Sequence, residues 1–135
     1  MERQRQKQKQ IELRRKREEF QRQKQLQKQR QIRAKNEANN KGNDYFGRGN
    51  WDKAISYYKE ALKYDPSDQT IKRRIKQAQA HKASDKGDKY HNKGDWGNAI
   101  KYYKEALRYD PNNAIFRRNL KKAEAEAKKE RQEKL

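Results

Sequence analysis

The chain has no cysteine, two prolines, one methionine and two histidines among its 135 residues. Without cysteine there are no disulfides and no thiolate metal sites, which fits a reducing compartment. His81 and His91 would lie on one helix about 15 Å apart along its axis and about 80° apart around it, so they do not share a metal. The carboxylates are scattered and no glycine-rich phosphate loop occurs, so no catalytic constellation is present and an enzyme is not expected. Neither a cofactor nor a metal site is expected. No apolar run approaches the length that crosses a bilayer, and no apolar stretch near the start resembles a secretion signal. The expected location is intracellular and cytoplasmic, with the nucleus as the alternative, and without membrane insertion. Hydrophobic residues are also scarce, at 30% against 42% charged, so any core is thin and much helix surface is wet.

What the chain has in excess is positive charge, a formal net of +19. Residues 1–41 hold 15 Lys and Arg against 5 Glu, and the remainder holds 23 against 14 Asp and Glu, so the first third is the more densely basic. Residues 1–35 are low-complexity Arg, Lys, Gln and Glu, interrupted only by Ile11, Leu13, Phe20, Leu26, Ile32 and Ala34. The abundant residues are good helix formers, Gly and Pro are absent, and Glu12 with Lys16 and Glu18 with Arg22 stand at favourable i,i+4 spacing. The apolar positions scatter around the helix, which argues against a coiled-coil seam. A solvated basic helical arm, frayed at its start, is predicted. Its Arg14, Arg15, Lys16 and Arg17 are candidate polyanion-binding residues, for RNA or DNA phosphates, nuclear import or an acidic surface. The plain alternative is a solvated spacer. The lack of an apolar face disfavours an anionic membrane surface.

From residue 36 a repeat takes over. Laying 36–80 on 81–125 gives 21 identities in 45 positions, strong enough to mark a repeat architecture. Each unit divides into three helical pieces. The first ends at Gly49 or Gly94, where glycine can close a helix in the left-handed region. Asn50 or Asp95 then stands at an N-cap position ahead of Trp51 or Trp96. The second helix carries Trp, Ala-Ile, Tyr and Ala-Leu at amphipathic spacing, and Pro66 or Pro111 ends it. Ser67-Asp68 and Asn112-Asn113 cap a third piece, with Ile71, Ile75 and Ala78 or Phe116, Leu120 and Ala123 on one face.

Gly42, Tyr45, Gly49, Trp51, Ala54, Tyr58, Ala61 and Pro66, and in the second copy Gly87, Tyr90, Gly94, Trp96, Ala99, Tyr103, Ala106 and Pro111, fall at the spacings of the tetratricopeptide repeat, which each unit resembles. The resemblance covers 36–69 and 81–114 and does not reach the arm. It implies an all-α fold of two helical hairpins, an α-solenoid fragment. The departure is spacing: such repeats usually recur every 34 or so residues. The additional eleven residues amount to three helical turns plus about 20°, roughly 16 Å of length. The third piece of unit 1 can therefore run on as the first helix of unit 2, a long helix over 68–93 joining the hairpins. Ile71, Ile75 and Ala78 would face back to unit 1, and Ala83, Gly87 and Tyr90 forward to unit 2. The alternative is a break near His81–Asp85 with Ser84 or Asp85 as an N-cap. The expected organisation is a basic helical arm (1–35), two units each with an extra helix (36–80 and 81–125), and a charged helical tail (126–135) completing a C-terminal capping helix. Two repeats are few for such an array, so stability should lean on the third helices or on a neighbour.

Function follows by class only. The resemblance implies a protein–protein interaction scaffold whose concave face comes from the first helix of each unit. Those positions are Asn36, Asn39, Asn43 and Phe46 in unit 1, and His81, Ser84, Asp88 and His91 in unit 2. This polar, amide-rich set suits an extended peptide segment or helix of a protein partner; the plain alternative is a solvated face. The carboxylate clamp of chaperone-binding members is not preserved, because Asn39 stands where its lysine belongs and Asp88 would repel a carboxylate. The second hypothesis is a nucleic-acid or ribosome-associated protein anchored by the basic arm. A third is an internal piece of a longer array. The tyrosines at helical spacing are taken as packing rather than as a base-stacking platform.

Overall fold

A computed structural model describes residues 1–135 as five helices and no strand. They are α1 (Glu2–Gly47), α2 (Trp51–Tyr64), α3 (Gln69–Asn92), α4 (Trp96–Tyr109) and α5 (Ala114–Glu133). Each packs on the next in chain order, so the fold is an all-α helical repeat of two hairpins, α1–α2 and α3–α4, closed by α5.

The helix ends follow from the punctuation in the sequence. Gly49 and Gly94 take φ of 73° and 72°, conformations without penalty only for glycine. They let the Asn50 and Asp95 N–H groups reach back to the Tyr45 and Tyr90 carbonyls, each at 2.9 Å. Asn50 and Asp95 then cap α2 and α4, accepting from the N–H groups of Lys53 and Asn98 at 3.3 Å. Asp68 and Asn113 cap α3 and α5 in the same way, accepting from Ile71 at 3.0 Å and Phe116 at 3.1 Å. Of the i,i+4 pairs, Glu130 and Lys134 close to 3.3 Å. Glu12–Lys16, Glu18–Arg22 and Glu124–Lys128 stay open, as solvated surface pairs commonly do.

Within each hairpin the close contact is a tyrosine ring lying on a glycine. Tyr58 and Tyr103 are fully buried, and a Cβ added to Gly42 or Gly87 would stand 2.6 Å from their ring carbons. Ala54 and Ala61, and Ala99 and Ala106, are also fully buried and keep the paired helices close.

α3 runs unbroken from Gln69 to Asn92, with no interruption at 81–85. Ile71 and Ile75 join Ala38, Ala54, Tyr58 and Ala61 in the core of unit 1. Ala80 and Ala83 join Ala106 and Phe116 in that of unit 2. At about 100° per residue these two stripes lie on nearly opposite faces of α3, so the helix is sandwiched between the first hairpin and α4. α5 repeats the register of α3 and buries Phe116 and Ala123. Its Gln132 stands one repeat on from Gly87, so α5 closes unit 2 without offering a notch for a further tyrosine.

Gly42→Ala or Gly87→Ala should cost about 1–3 kcal/mol through overpacking against the tyrosine ring. Gly47→Ala, at a helical glycine with nothing within 4 Å of the added carbon, should be neutral or stabilising by up to about 1 kcal/mol. Thermal or denaturant unfolding checks the contrast, and equal effects at Gly42 and Gly47 would contradict the contact.

Candidate functional site

On α1 the buried residues Ala38 and Gly42 turn toward α2 and α3. Asn36, Asn39, Asn43 and Phe46 follow one another at i, i+3, i+7 and i+10, within about 80° of a common face. Asn36 and Asn43 are exposed and Asn39 is half-buried. Asn43 Oδ1 accepts the Tyr58 hydroxyl proton at 2.7 Å, whereas the amides of Asn36 and Asn39 have no partner within the chain. Phe46 meets the rings of Trp51 and His81 edge-on at 5.1 and 5.7 Å, and the Arg74 guanidinium lies over it at 5.7 Å.

The corresponding residues of α3 are used differently. His81 stacks on Trp51 at 4.6 Å and 14° and meets Phe116 edge-on at 5.4 Å. It is a junction residue between the units, because the lengthened α3 carries this position into the interface between the hairpins. Ser84 is buried, 5% exposed, and so faces the packed interior rather than a groove. Asp88 is exposed and accepts the Tyr103 hydroxyl proton at 2.6 Å. Burial, and then this carboxylate, push the Tyr103 hydroxyl well above its ordinary value. His91 meets Trp96 edge-on at 5.0 Å. The eight residues therefore do not form one strip. Asn36, Asn39, Asn43 and Asp88 present polar groups, Phe46, His81 and His91 are engaged in aromatic packing, and Ser84 is covered.

Several side-chain ties that organise these surfaces were not foreseen from the sequence. Trp51 Nε1 donates to Asp85 at 2.6 Å, and Lys82 pairs with Asp52 at 2.6 Å, which fastens α2 to α3. Lys35 bridges Asp65 at 2.8 Å and Asp68 at 2.7 Å, the two carboxylates at the α2–α3 turn. One repeat on, the trio becomes Ala80, Asp110 and Asn113: the lysine and one carboxylate disappear together. That paired change was the available signal.

Lys35 also marks where α1 leaves the body. Residues 1–33 are exposed throughout, including Arg14, Arg15, Lys16 and Arg17, so the arm is a bare helix extending roughly 50 Å. Elsewhere, Tyr45 stacks on Tyr57, and Tyr90 on Tyr102, at 5.5 Å. Lys41, Arg48 and Lys53 lie over the first pair and Lys86, Lys93 and Lys101 over the second.

Residues 38–68 match a family model described as tetratricopeptide repeat, and residues 87–123 match one described as TPR repeat. No curated protein matches the chain. The first span covers the end of α1 and all of α2, the second covers the end of α3, all of α4 and the first half of α5, and the arm is unmatched.

The Lys35 bridge makes stability depend on pH. Lys35 holds the Asp65 and Asp68 carboxyls below their ordinary values, helped by the Ser67 hydroxyl at Asp65 and the Ile71 N–H at Asp68. A depressed folded value means the contribution is present above the unfolded carboxylate value of about 3.9 and is lost as pH falls through the folded values. Asp65, then Asp68, raise Lys35, so its share persists below about 10.4 and is lost as pH rises through the raised value. Thermal unfolding across this range should therefore show Lys35→Met closest to the parent at both extremes and least stable relative to it near neutrality. A constant difference at every pH would contradict the bridge.

Proposed function

The chain belongs to the tetratricopeptide-repeat family, and we propose that it acts as a non-enzymatic scaffold holding an extended segment of a protein partner against the first helix of each hairpin. The observation that carries this is the pair Asn36 and Asn39. Both stand on one face of α1 with amides unengaged, and each can donate to and accept from a peptide backbone. Asn43, oriented by the Tyr58 hydroxyl, continues the same face.

Two features narrow the segment. The clamp lysine is replaced by Asn39, and the corresponding position in unit 2 holds the Asp88 carboxylate, so an internal stretch suits the face better than a C-terminal carboxylate. The length added to α3 staggers the second first-helix along the axis by roughly 16 Å. The unit 1 face is accordingly the principal docking surface, with Asp88 as an outlying contact that favours a basic residue in the partner.

Selection of random peptides on the full chain tests this. Enriched peptides should bind the Asn36→Ala, Asn39→Ala double variant about tenfold more weakly, the effect of losing roughly 1.4 kcal/mol of hydrogen bonding. They should bind a chain lacking residues 1–30 with unchanged affinity. Peptides indifferent to both asparagines, or dependent on the arm, would overturn this reading.

A further inference from the structure

The basic arm has counterparts in the body. Residues 24–33, 69–78 and 114–123 stand one 45-residue repeat apart; in the fold the last two are the opening turns of α3 and α5, and the first is the equivalent stretch in the middle of the longer α1. Each contains four Lys or Arg and no Asp or Glu: Lys24, Lys28, Arg30 and Arg33; Lys72, Arg73, Arg74 and Lys76; Arg117, Arg118, Lys121 and Lys122. All twelve are exposed.

This charge is not neutralised within the molecule. Of 38 Lys and Arg, only Lys35, Lys82 and Lys134 pair with a carboxylate. In the two body segments Arg74 lies over Phe46, and Arg117 donates to the Pro111 carbonyl at 2.8 Å. That leaves Lys72, Arg73 and Lys76 on α3, and Arg118, Lys121 and Lys122 on α5, with their charges directed to solvent. The cause is structural. Ile71, Ile75 and Ala78 turn the inserted turns of α3 inward on unit 1, and the opposite face, which further along carries α4 through Ala83 and Gly87, here carries Lys72 and Lys76 instead. The insertion thus creates a basic shelf beside each hairpin in the register of the arm.

We propose that these three segments form one sequence-independent binding track for the phosphodiester backbone of a duplex nucleic acid. Cations repeated in three segments of the arm and body, with no acid inside any of them, complement a long regular polyanion. The exposed side chains of the two body segments form no apolar face, which disfavours a membrane. A single strand would call for free aromatic rings on which bases stack. The only aromatic residue within the three segments, Phe116, is buried. The half-buried pairs Tyr45–Tyr57 and Tyr90–Tyr102 are stacked and covered by cations, and the exposed Phe20, Tyr64 and Tyr109 stand singly on α1, α2 and α4, so no row of rings accompanies the track. Phosphate contact without base readout is what remains, and it suits a duplex. This track is independent of the asparagine face and stands or falls apart from it.

The test is fluorescence anisotropy of the full chain with a labelled RNA duplex, a DNA duplex of the same sequence, the matching single strands and labelled poly-L-glutamate, over a range of salt. The parent should bind at least one duplex more tightly than its single strand or poly-L-glutamate, with affinity falling steeply as salt rises. Binding of one duplex or both supports the track and identifies its source. The body variant carries Lys72→Gln, Arg73→Gln, Lys76→Gln, Arg118→Gln, Lys121→Gln and Lys122→Gln. Its slope of log affinity against log salt should be shallower by about 0.9 for each phosphate that the variant no longer neutralises, up to about 5 in all. The arm variant Lys24→Gln, Lys28→Gln, Arg30→Gln, Arg33→Gln touches nothing in the folded body and should shallow the slope as well, which keeps the test decisive if the body variant folds poorly. An unchanged slope in either folded variant overturns the track. So does tighter binding of a single strand or of poly-L-glutamate.

Discussion

One helix serves two hairpins, and the arrangement of everything else depends on it. α3 presents Ile71, Ile75 and Ala78 to unit 1 and, after less than one further turn, Ala80 and Ala83 to unit 2 on nearly the opposite side. Both apolar faces belong to a single run of backbone hydrogen bonds, so neither hairpin can rotate about α3 without dragging the other. With a core this thin, that continuity replaces the broad helix-to-helix interfaces that hold longer arrays together. The side-chain ties at the junction reinforce it: Trp51 stacked on His81 and bonded to Asp85, and Lys82 against Asp52.

The duplication supplies an internal comparison in which shared contacts can be separated from individual ones. The tyrosine on glycine, the left-handed glycine and the asparagine or aspartate cap occur in both units with nearly the same geometry. They define the hairpin. What differs is at the edges. Lys35 with Asp65 and Asp68 exists only where α1 departs as an arm, and its counterpart Ala80 is buried because α3 there continues inside the body. Asn43 and Asp88 receive the same tyrosine hydroxyl, yet only the second adds a negative charge to its surface. The proposed binding surfaces therefore lie in the departures from symmetry and in the inserted turns, while the residues that define the hairpin maintain the shape.

The hairpins were legible in the sequence because their signals are local. Trp51 to Tyr64 and Trp96 to Tyr109 are amphipathic, bounded by caps, glycine and proline, and each boundary has a mechanism. The continuity of α3 was legible as a matter of helical phase, since eleven residues nearly complete three turns. Its two-sided burial was harder to see, because apolar faces pointing opposite ways cancel as a single stripe. The surface residues were less legible. His81 and Ser84 stand at groove positions of the family, but the lengthened α3 moves that stretch into the junction, where a ring stacks and a small hydroxyl is covered. Lys35 and Asp65 lie 30 residues apart, and no periodicity links them. The ordinary charge of the arm was plain from composition, whereas its repetition in the body appears only when the segments are set in one register on α1, α3 and α5.

Native-state hydrogen exchange along α3 tests most directly whether a single strut couples the hairpins. The amides of residues 80–86 should exchange as slowly as those of 75–79 and 87–90, all opening together with global unfolding. Rapid exchange confined to 81–85, with slower exchange on either side, would show two helices joined by a linker and would contradict the single strut.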